Sequence, residues 1–257
     1  MTPVALATPA LTAADQAGRW IGFGAADDPA TSEGWLVLPP AGHGPGLLLL
    51  AEIFGVNAHM RAVALQYALA GHVVLVPDLF WRSERRIELG YGDADRQRGR
   101  QFAALLQPDT VRDDLRTAVA TLRARPEVRR GDGRPARVAA LGYCLGGRLA
   151  WQAAASTDID AAVSYYGGGI QAQLDLTARI RCPLLLHYAE HDAHIPNEAV
   201  QSVAQALQRQ GPRHEIVVHP GTAHGFNCWA RAEFHAGAAS QALARTQQFL
   251  ADTLYAG

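Results

Sequence analysis

A cysteine stands between two glycines near the middle of the chain, in the segment GYCLG at 142–146. This spacing fits a nucleophile elbow, in which a tight turn joins a strand to a helix and exposes the central side chain. Glycines suit such a turn because backbone segments approach closely there. The helix dipole would favour a thiolate. The motif therefore predicts Cys144 as a nucleophile and the Leu145 N–H as an oxyanion donor; the alternative is a buried structural cysteine.

Two residues of the required chemistry follow Cys144 in the order nucleophile, acid, histidine. Asp192 comes just after the strand-like run 183–187, and His224 follows the strand-like run 215–218. A histidine can exchange protons with the nucleophile and with water, and an aspartate can hold the histidine in the required orientation. We therefore predict a triad of Cys144, His224 and Asp192.

Other residues compete for two of these roles. Glu190 lies two positions before Asp192 and could orient the histidine instead. Ser164 and Ser202 are possible serine nucleophiles, but neither lies in an elbow motif. The sequence favours Cys144 over both serines.

A cluster of histidines near Asp192 raises the question of a metal site. Its members are His187, His191 and His194. Their spacing does not place three ligands on one regular face, so we predict no metal and no other cofactor. His187 falls within a predicted strand and is expected to be a hydrogen-bonded core histidine.

Short apolar runs alternate with longer stretches of helical spacing along the chain. Strands are predicted at 34–38, 47–51, 73–76, 137–141, 161–165, 183–187 and 215–218, and helices at 58–70, 110–124, 145–155, 196–210 and 231–254. The helix 110–124 carries an apolar face made of Val111, Leu115, Ala118, Val119 and Leu122. No element is predicted in the polar, arginine-rich segment 82–100. This alternation predicts an α/β fold, with a mostly parallel sheet covered by helices on both faces and ligands at the carboxyl ends of the strands.

Composition sets limits on the class of protein. The 257 residues are 49% hydrophobic and 18% charged, with a formal net charge of -1, which indicates a compact soluble protein and gives no electrostatic reason to expect nucleic acid as a partner. We expect a single domain over 1–257, with 1–30 as an N-terminal extension or edge elements. Three cysteines and no CxxC pair do not suggest a disulfide framework. Without an evident signal peptide or membrane span, a cytoplasmic location is expected.

Several segments together closely resemble the dienelactone hydrolase (carboxymethylenebutenolidase) family of the α/β-hydrolase superfamily. They are GYCLGG at 142–147, EIFGVN at 52–57, PDLF at 77–80, YYGGG at 165–169, Asp192, and HGF at 224–226. The resemblance spans most of the chain, from about residue 35 to the last helix. It implies an α/β-hydrolase fold and the hydrolysis of lactones or activated esters through a thioester acyl-enzyme formed on the cysteine.

The resemblance also assigns roles next to the nucleophile. It implies that Glu52 interacts with the thiol and helps to generate the thiolate when substrate arrives. It further implies that the Ile53 N–H is a second oxyanion donor beside that of Leu145. Glu52 is notable from the sequence itself, because a carboxylate at the end of a buried strand needs a partner; a solvated carboxylate at the strand end is the alternative.

Substrate binding departs from the family pattern. The family holds a substrate carboxylate with arginines, and Arg82 matches one of them, whereas Cys228 stands where the second is expected. Either Arg231 or another group replaces that arginine, or the substrate differs from the usual carboxylated dienelactone. Trp81 and Tyr91 are further candidates for the lining of the pocket.

Two functions are compatible with these observations. The first is the cysteine-dependent hydrolase, with a small lactone or ester as its partner and a monomer or small homo-oligomer as its assembly. The second is a ligand-binding or redox-responsive relative that has lost catalysis and keeps Cys144 as a reactive thiol, because a fold alone does not establish an activity.

Overall fold

A computed structural model describes residues 13, 17–24, 32–211 and 213–255. Its eight strands are β1 Gly18–Phe23, β2 Ser32–Val37, β3 Gly46–Leu50, β4 Val73–Pro77, β5 Val138–Tyr143, β6 Ala161–Tyr165, β7 Leu184–Ala189 and β8 His214–His219. They form one sheet in the order β1-β2-β4-β3-β5-β6-β7-β8. The pairs β1–β2 and β2–β4 are antiparallel, and every other pair is parallel. The predicted mostly parallel sheet is confirmed, and the fold is that of an α/β-hydrolase.

Helices cover both faces of this sheet. They are α1 Ala58–Leu69, α2 Asp93–Leu105, α3 Pro108–Ala124, α4 Leu145–Ser156, α5 Asn197–Gln208 and α6 Ala236–Leu254, together with a 3-10 helix at Ile170–Arg179. On one face α3 and α4 pack on each other and on β3 and β5, and α1 and α6 cover the other face. None of the helices in the described part of the chain is long and apolar enough to cross a membrane.

The sequence patterns explain the central elements. β3 reads GLLLL and β4 reads VVLVP, and every residue of both strands is buried, as expected for parallel strands covered on two sides. The buried face of α3 consists of Val111, Leu115, Ala118, Val119 and Leu122, which is the face that the helical spacing predicts.

β1 is an edge strand within the segment 1–30, which was expected to be an N-terminal extension or edge elements; residues 1–12, 14–16 and 25–30 lie outside the described residues. Other elements differ from the sequence-based expectation. α2 was not predicted because its sequence shows no apolar periodicity; the residue that it buries is a glycine, Gly99. The 3-10 helix was also not predicted. The last helix begins at Ala236 instead of residue 231, with His235 as its N-cap.

Candidate active site

Cys144 occupies a strained turn between β5 and α4. Its φ and ψ are 54° and -114°, a conformation that non-glycine residues rarely adopt and that costs about 1–3 kcal/mol. A Cβ on Gly142 would lie 2.0 Å from the carbonyl oxygen of Gly146, and a Cβ on Gly146 would lie 2.0 Å from that of Leu50. Glycine is therefore required at both positions, and the turn holds the thiol at the carboxyl edge of the sheet.

His224 faces Asp192 and lines the same cavity as Cys144. Its Nδ1 lies 2.8 Å from Oδ2 of Asp192, and the nearby thiol of Cys144 helps to raise the pKa of the imidazole. The second carboxylate oxygen, Oδ1, accepts a hydrogen bond of 2.8 Å from the backbone N–H of His194, so both oxygens of this buried carboxylate are engaged. Burial alone would lower the pKa of His224, but the hydrogen bond to Asp192 and the nearby thiol of Cys144 outweigh it and raise the pKa to about 10.

The competing acid is engaged elsewhere. Glu190 is exposed, and its Oε2 accepts a hydrogen bond of 2.8 Å from the backbone N–H of Gly221. The sequence left open whether Glu190 or Asp192 is the partner of His224. Of these two, the structure brings only Asp192 to the imidazole.

The clustered histidines do not converge on one point. His187 is fully buried, and its ring nitrogens lie 3.0 Å from Nε2 of His219 and 3.1 Å from Oγ1 of Thr246. It is thus a hydrogen-bonded core histidine, as predicted. His191 is exposed beside Glu190. In the described ranges, no three histidine, cysteine or acidic side chains are grouped closely enough to hold a metal ion.

Glu52 lies at the end of β3, next to the elbow, and is only 1% exposed. Its Oε1 lies 3.4 Å from Nη1 of Arg231, while its Oε2 has no hydrogen-bond partner. Burial raises the pKa of this carboxyl group, and the nearby charges of Arg231 and His224 oppose that rise. Arg231 lies in the turn before α6 and also reaches Oε2 of Glu233 at 3.3 Å. Arg231 is therefore the cation that neutralises Glu52.

Asn57 fixes the loop that carries Glu52 and Ile53. Its side chain caps α1 by accepting a hydrogen bond of 3.1 Å from the Met60 N–H, and its Nδ2 donates to the Leu89 carbonyl at 2.9 Å. Two loops that border the site are thereby tied to the start of α1.

The two expected oxyanion donors lie on the same cavity. Ile53 and Leu145 both line the space in front of Cys144. Leu145 is the first residue of α4, where a backbone N–H has no partner within its own helix. In the described segments, neither N–H donates to a backbone carbonyl. Both donors are thus free to bind a ligand oxygen.

The cavity in front of Cys144 has a volume of about 470 Å³. Its lining consists of Ile53, Phe54, Asp93, Arg96, Arg100, Ala103, Cys144, Leu145, Arg148, Gly168, His194, His224 and Arg231. Most of its charged residues are arginines. Three of the lining charges, Asp93, Arg96 and Arg100, come from α2, which packs so closely that a Cβ on Gly99 would lie 2.6 Å from the Ile53 carbonyl.

Arg82 and Trp81 lie away from this cavity, contrary to the expectation. Arg82 forms an exposed ion pair with Asp114, with Nη2 2.9 Å from Oδ1, and its guanidinium stacks 4.2 Å from the Trp81 ring. Trp81 and Asp114 line a separate small cavity. The resemblance matched the residue types at these positions, but it did not predict the direction of their side chains.

Tyr91 and Cys228 do not line the cavity either. The Tyr91 ring packs edge-on against Phe54, and its hydroxyl accepts a hydrogen bond of 3.2 Å from Nδ2 of Asn57. Cys228 is fully buried, and burial raises the pKa of its thiol to about 11. Cys228 therefore fills the space beside Glu52 without reaching the cavity.

Sequence reasoning missed the arginines at 96, 100 and 148. The pair from α2 could not be found because that helix was not predicted. Arg148 gave a usable signal, because it lies in the first turn of the helix that the elbow motif predicts after Cys144.

Comparisons with known proteins identify the family and the fold of this chain. Residues 33–254 match the sequence model described as the dienelactone hydrolase family. A carboxymethylenebutenolidase from Pseudomonas sp. strain P51 is 35% identical over 219 residues, covering 84% of this chain and 87% of that protein. The crystal structure of a "Putative Dienelactone Hydrolase" from Klebsiella pneumoniae superposes with a TM-score of 0.76 at 26% identity, covering 91% of this chain and 99% of the other. The dienelactone hydrolase-like promiscuous phosphotriesterase P91 from metagenomic libraries shares the fold, with a TM-score of 0.75 at 19% identity over 92% of this chain and 98% of its own.

Proposed function

This chain is a hydrolase that belongs to the dienelactone hydrolase family, and we propose that it opens lactones and activated esters through a thioester on Cys144. The observation that carries the proposal is the His224–Asp192 hydrogen bond beside the Cys144 thiol, in one cavity at the edge of the sheet where ligands of such folds bind. A nucleophile, a histidine and an orienting carboxylate in this order are the parts that acyl transfer needs.

The first half of the proposed reaction forms the thioester. Glu52 takes the proton of the Cys144 thiol, and its raised pKa makes it a stronger base than an exposed carboxylate. The thiolate attacks the carbonyl carbon of the substrate, and the N–H groups of Ile53 and Leu145 stabilise the oxyanion. When the intermediate collapses, the carbon–oxygen bond of the ester breaks and the leaving alkoxide takes a proton from protonated His224. A pKa of about 10 keeps that imidazole protonated at neutral pH.

The second half releases the acid. Neutral His224, held by Asp192, removes a proton from water, which attacks the thioester carbonyl. Collapse of this second intermediate breaks the carbon–sulfur bond and yields the carboxylic acid. The departing thiolate recovers its proton from Glu52, so all three groups return to their starting protonation states.

Replacement of Cys144 tests the proposal. Cys144→Ala should abolish turnover of an activated aryl ester and of an enol lactone, whereas Cys182→Ala should retain it because Cys182 lies before β7, outside the cavity. Turnover by Cys144→Ala at the wild-type rate would refute the cysteine mechanism. Stoichiometric labelling of Cys144 by iodoacetamide, with no turnover by the wild type on a broad ester panel, would instead support the non-catalytic thiol protein.

A further inference from the structure

His194 is the member of the histidine cluster that lines the cavity in front of Cys144, and the proposed reaction gives its side chain no role. It lies two residues after Asp192. Its imidazole packs against that of His224, with ring centroids 4.9 Å apart and an interplanar angle of 87°. A second imidazole therefore lies beside the base that activates water in the proposed reaction.

In the described part of the chain, two rings pack against His224, and they differ in exposure. Tyr166 is fully buried, and its ring centroid lies 5.0 Å from that of His224. His194 is exposed and lines the cavity. Tyr166 thus covers His224 toward the protein interior, whereas His194 borders it toward the space that water enters.

A turn fixes the position of His194. Its backbone N–H donates to Oδ1 of Asp192 at 2.8 Å, and the N–H of Ile195 donates to the Asp192 carbonyl at 3.3 Å. Ile195 is buried, and Pro196 is the N-cap of α5. The carboxylate that orients His224 therefore also holds the backbone of His194, so the two imidazoles keep a fixed relation to each other.

The ring nitrogens of His194 are free to bind water. Within residues 17–24, 32–211 and 213–255, neither of them has a hydrogen-bond partner. Burial lowers the pKa of this imidazole, and positive charges on His224, Arg231 and Arg100 lower it further. The ring is thus neutral at neutral pH, with one nitrogen that donates a hydrogen bond and one that accepts.

We propose that His194 binds the water molecule that hydrolyses the thioester on Cys144, and thereby selects water over other nucleophiles. The inference rests on the proposed function, because it concerns the second half of that reaction. One water proton passes to Nε2 of His224, while the other is held in a hydrogen bond to the accepting nitrogen of His194. The water oxygen attacks the carbonyl carbon, the carbon–sulfur bond breaks, and the acid leaves with that second proton.

An alcohol lacks the second proton. Methanol can pass its hydroxyl proton to His224, but its methyl group cannot donate a hydrogen bond to His194. The hydrogen bond to His194 therefore accelerates hydrolysis of the thioester more than methanolysis. A purely structural role, in which the ring of His194 only keeps His224 in place, would affect both reactions equally.

Competition between water and methanol for one acyl-enzyme tests the proposal. 4-Nitrophenyl butyrate is turned over in buffer with added methanol, and chromatography gives the ratio of butyrate to methyl butyrate. The wild type is compared with His194→Phe, which keeps a ring against His224, and with His194→Gln, which keeps an accepting oxygen. His191→Phe is the matched control, because His191 is exposed and is not part of the cavity lining.

The expected effect is a shift of the product ratio. A lost neutral hydrogen bond predicts that His194→Phe lowers the ratio of butyrate to methyl butyrate about threefold to tenfold. His194→Gln should recover part of this ratio, and His191→Phe should not change it. The release of 4-nitrophenol in the first turnover reports formation of the thioester and should stay close to the wild-type rate in both His194 variants, which also shows that they are folded.

Other results would overturn the assignment. An unchanged product ratio in His194→Phe, or hydrolysis and methanolysis that fall together, would mean that His194 does not select water. Failure of the proposed function looks different, because the wild type would then form neither product faster than Cys144→Ala does. The assignment of His194 would fall with it in that case.

Discussion

Asp192→Asn probes the orientation of the proposed base with almost no change of shape. In the wild type, Oδ1 of Asp192 accepts from the His194 N–H at 2.8 Å and Oδ2 faces Nδ1 of His224 at 2.8 Å. An asparagine must keep its carbonyl oxygen toward the His194 N–H, because an amide NH₂ cannot accept that bond. The amide nitrogen then faces Nδ1 of His224, which must become the acceptor. The imidazole proton moves to Nε2, on the side of Cys144, where a base is needed.

The expected loss follows from two effects. Removal of a buried charge-assisted hydrogen bond is worth about 1.5–3 kcal/mol, or roughly tenfold to 150-fold in rate. The wrong tautomer adds to this, and in Ser-His-Asp triads the same substitution lowers kcat about 10⁴-fold. We therefore expect kcat of Asp192→Asn to fall by about 10³-fold to 10⁴-fold. The pKa of His224 should also fall below the wild-type value of about 10, because its hydrogen bond to the carboxylate is lost.

The assay compares Asp192→Asn with Glu190→Gln. Steady-state hydrolysis of an activated ester gives kcat, and nitrogen-15 NMR of the histidine rings gives the pKa of His224. Glu190→Gln should stay within a few-fold of the wild type, because Glu190 binds the Gly221 N–H and not His224. A loss of less than tenfold in Asp192→Asn, or the large loss in Glu190→Gln, would refute the assignment of Asp192 as the orienting acid.

Two further predictions concern stability. Burial raises the pKa of Glu52 above its unfolded value of about 4.5. The unfolding free energy of the wild type should therefore fall as the pH rises from 4.5 through the folded pKa. Glu52→Gln should flatten this pH dependence, measured by urea titration, and should also lower kcat. A steeper pH dependence in Glu52→Gln would contradict the burial argument. Gly146→Ala should lose more than about 3 kcal/mol of unfolding free energy or fail to fold, because its Cβ would lie 2.0 Å from the Leu50 carbonyl oxygen. Gly92 has open space around it, so the unfolding free energy of Gly92→Ala, from thermal unfolding, should stay within about 1 kcal/mol of the wild type. Equal melting temperatures for the two glycine variants would show that the elbow tolerates a side chain.

The sequence predicted the elements that depend on strong periodicity. Continuous apolar runs marked β3 and β4, and the helical spacing of α3 gave its buried face. The positions of Cys144, Asp192 and His224, each just after the end of a predicted strand, placed them on one edge of the sheet. The topology then brought them together, because β5, β7 and β8 are parallel and end on the same side.

The lining of the cavity was harder to predict, since it depends on contacts distant in the chain. α2 contributes Arg96 and Arg100, yet its polar sequence carries no apolar pattern. Arg82 pairs with Asp114, 32 residues away, and a one-dimensional comparison with a family cannot reveal that ion pair. Arg231 was predicted at the start of a helix but lies in the turn before it, which lets its guanidinium reach Glu52.

Detection of the acyl-enzyme tests the central claim most directly. The wild type is mixed with an activated ester, quenched in acid within milliseconds to seconds, and analysed by intact and peptide mass spectrometry. We expect an acyl adduct on the peptide that carries Cys144, which forms and decays at rates consistent with kcat and is missing in Cys144→Ala. An adduct on another residue, such as Cys228, or undiminished turnover by Cys144→Ala without any adduct, would contradict the account.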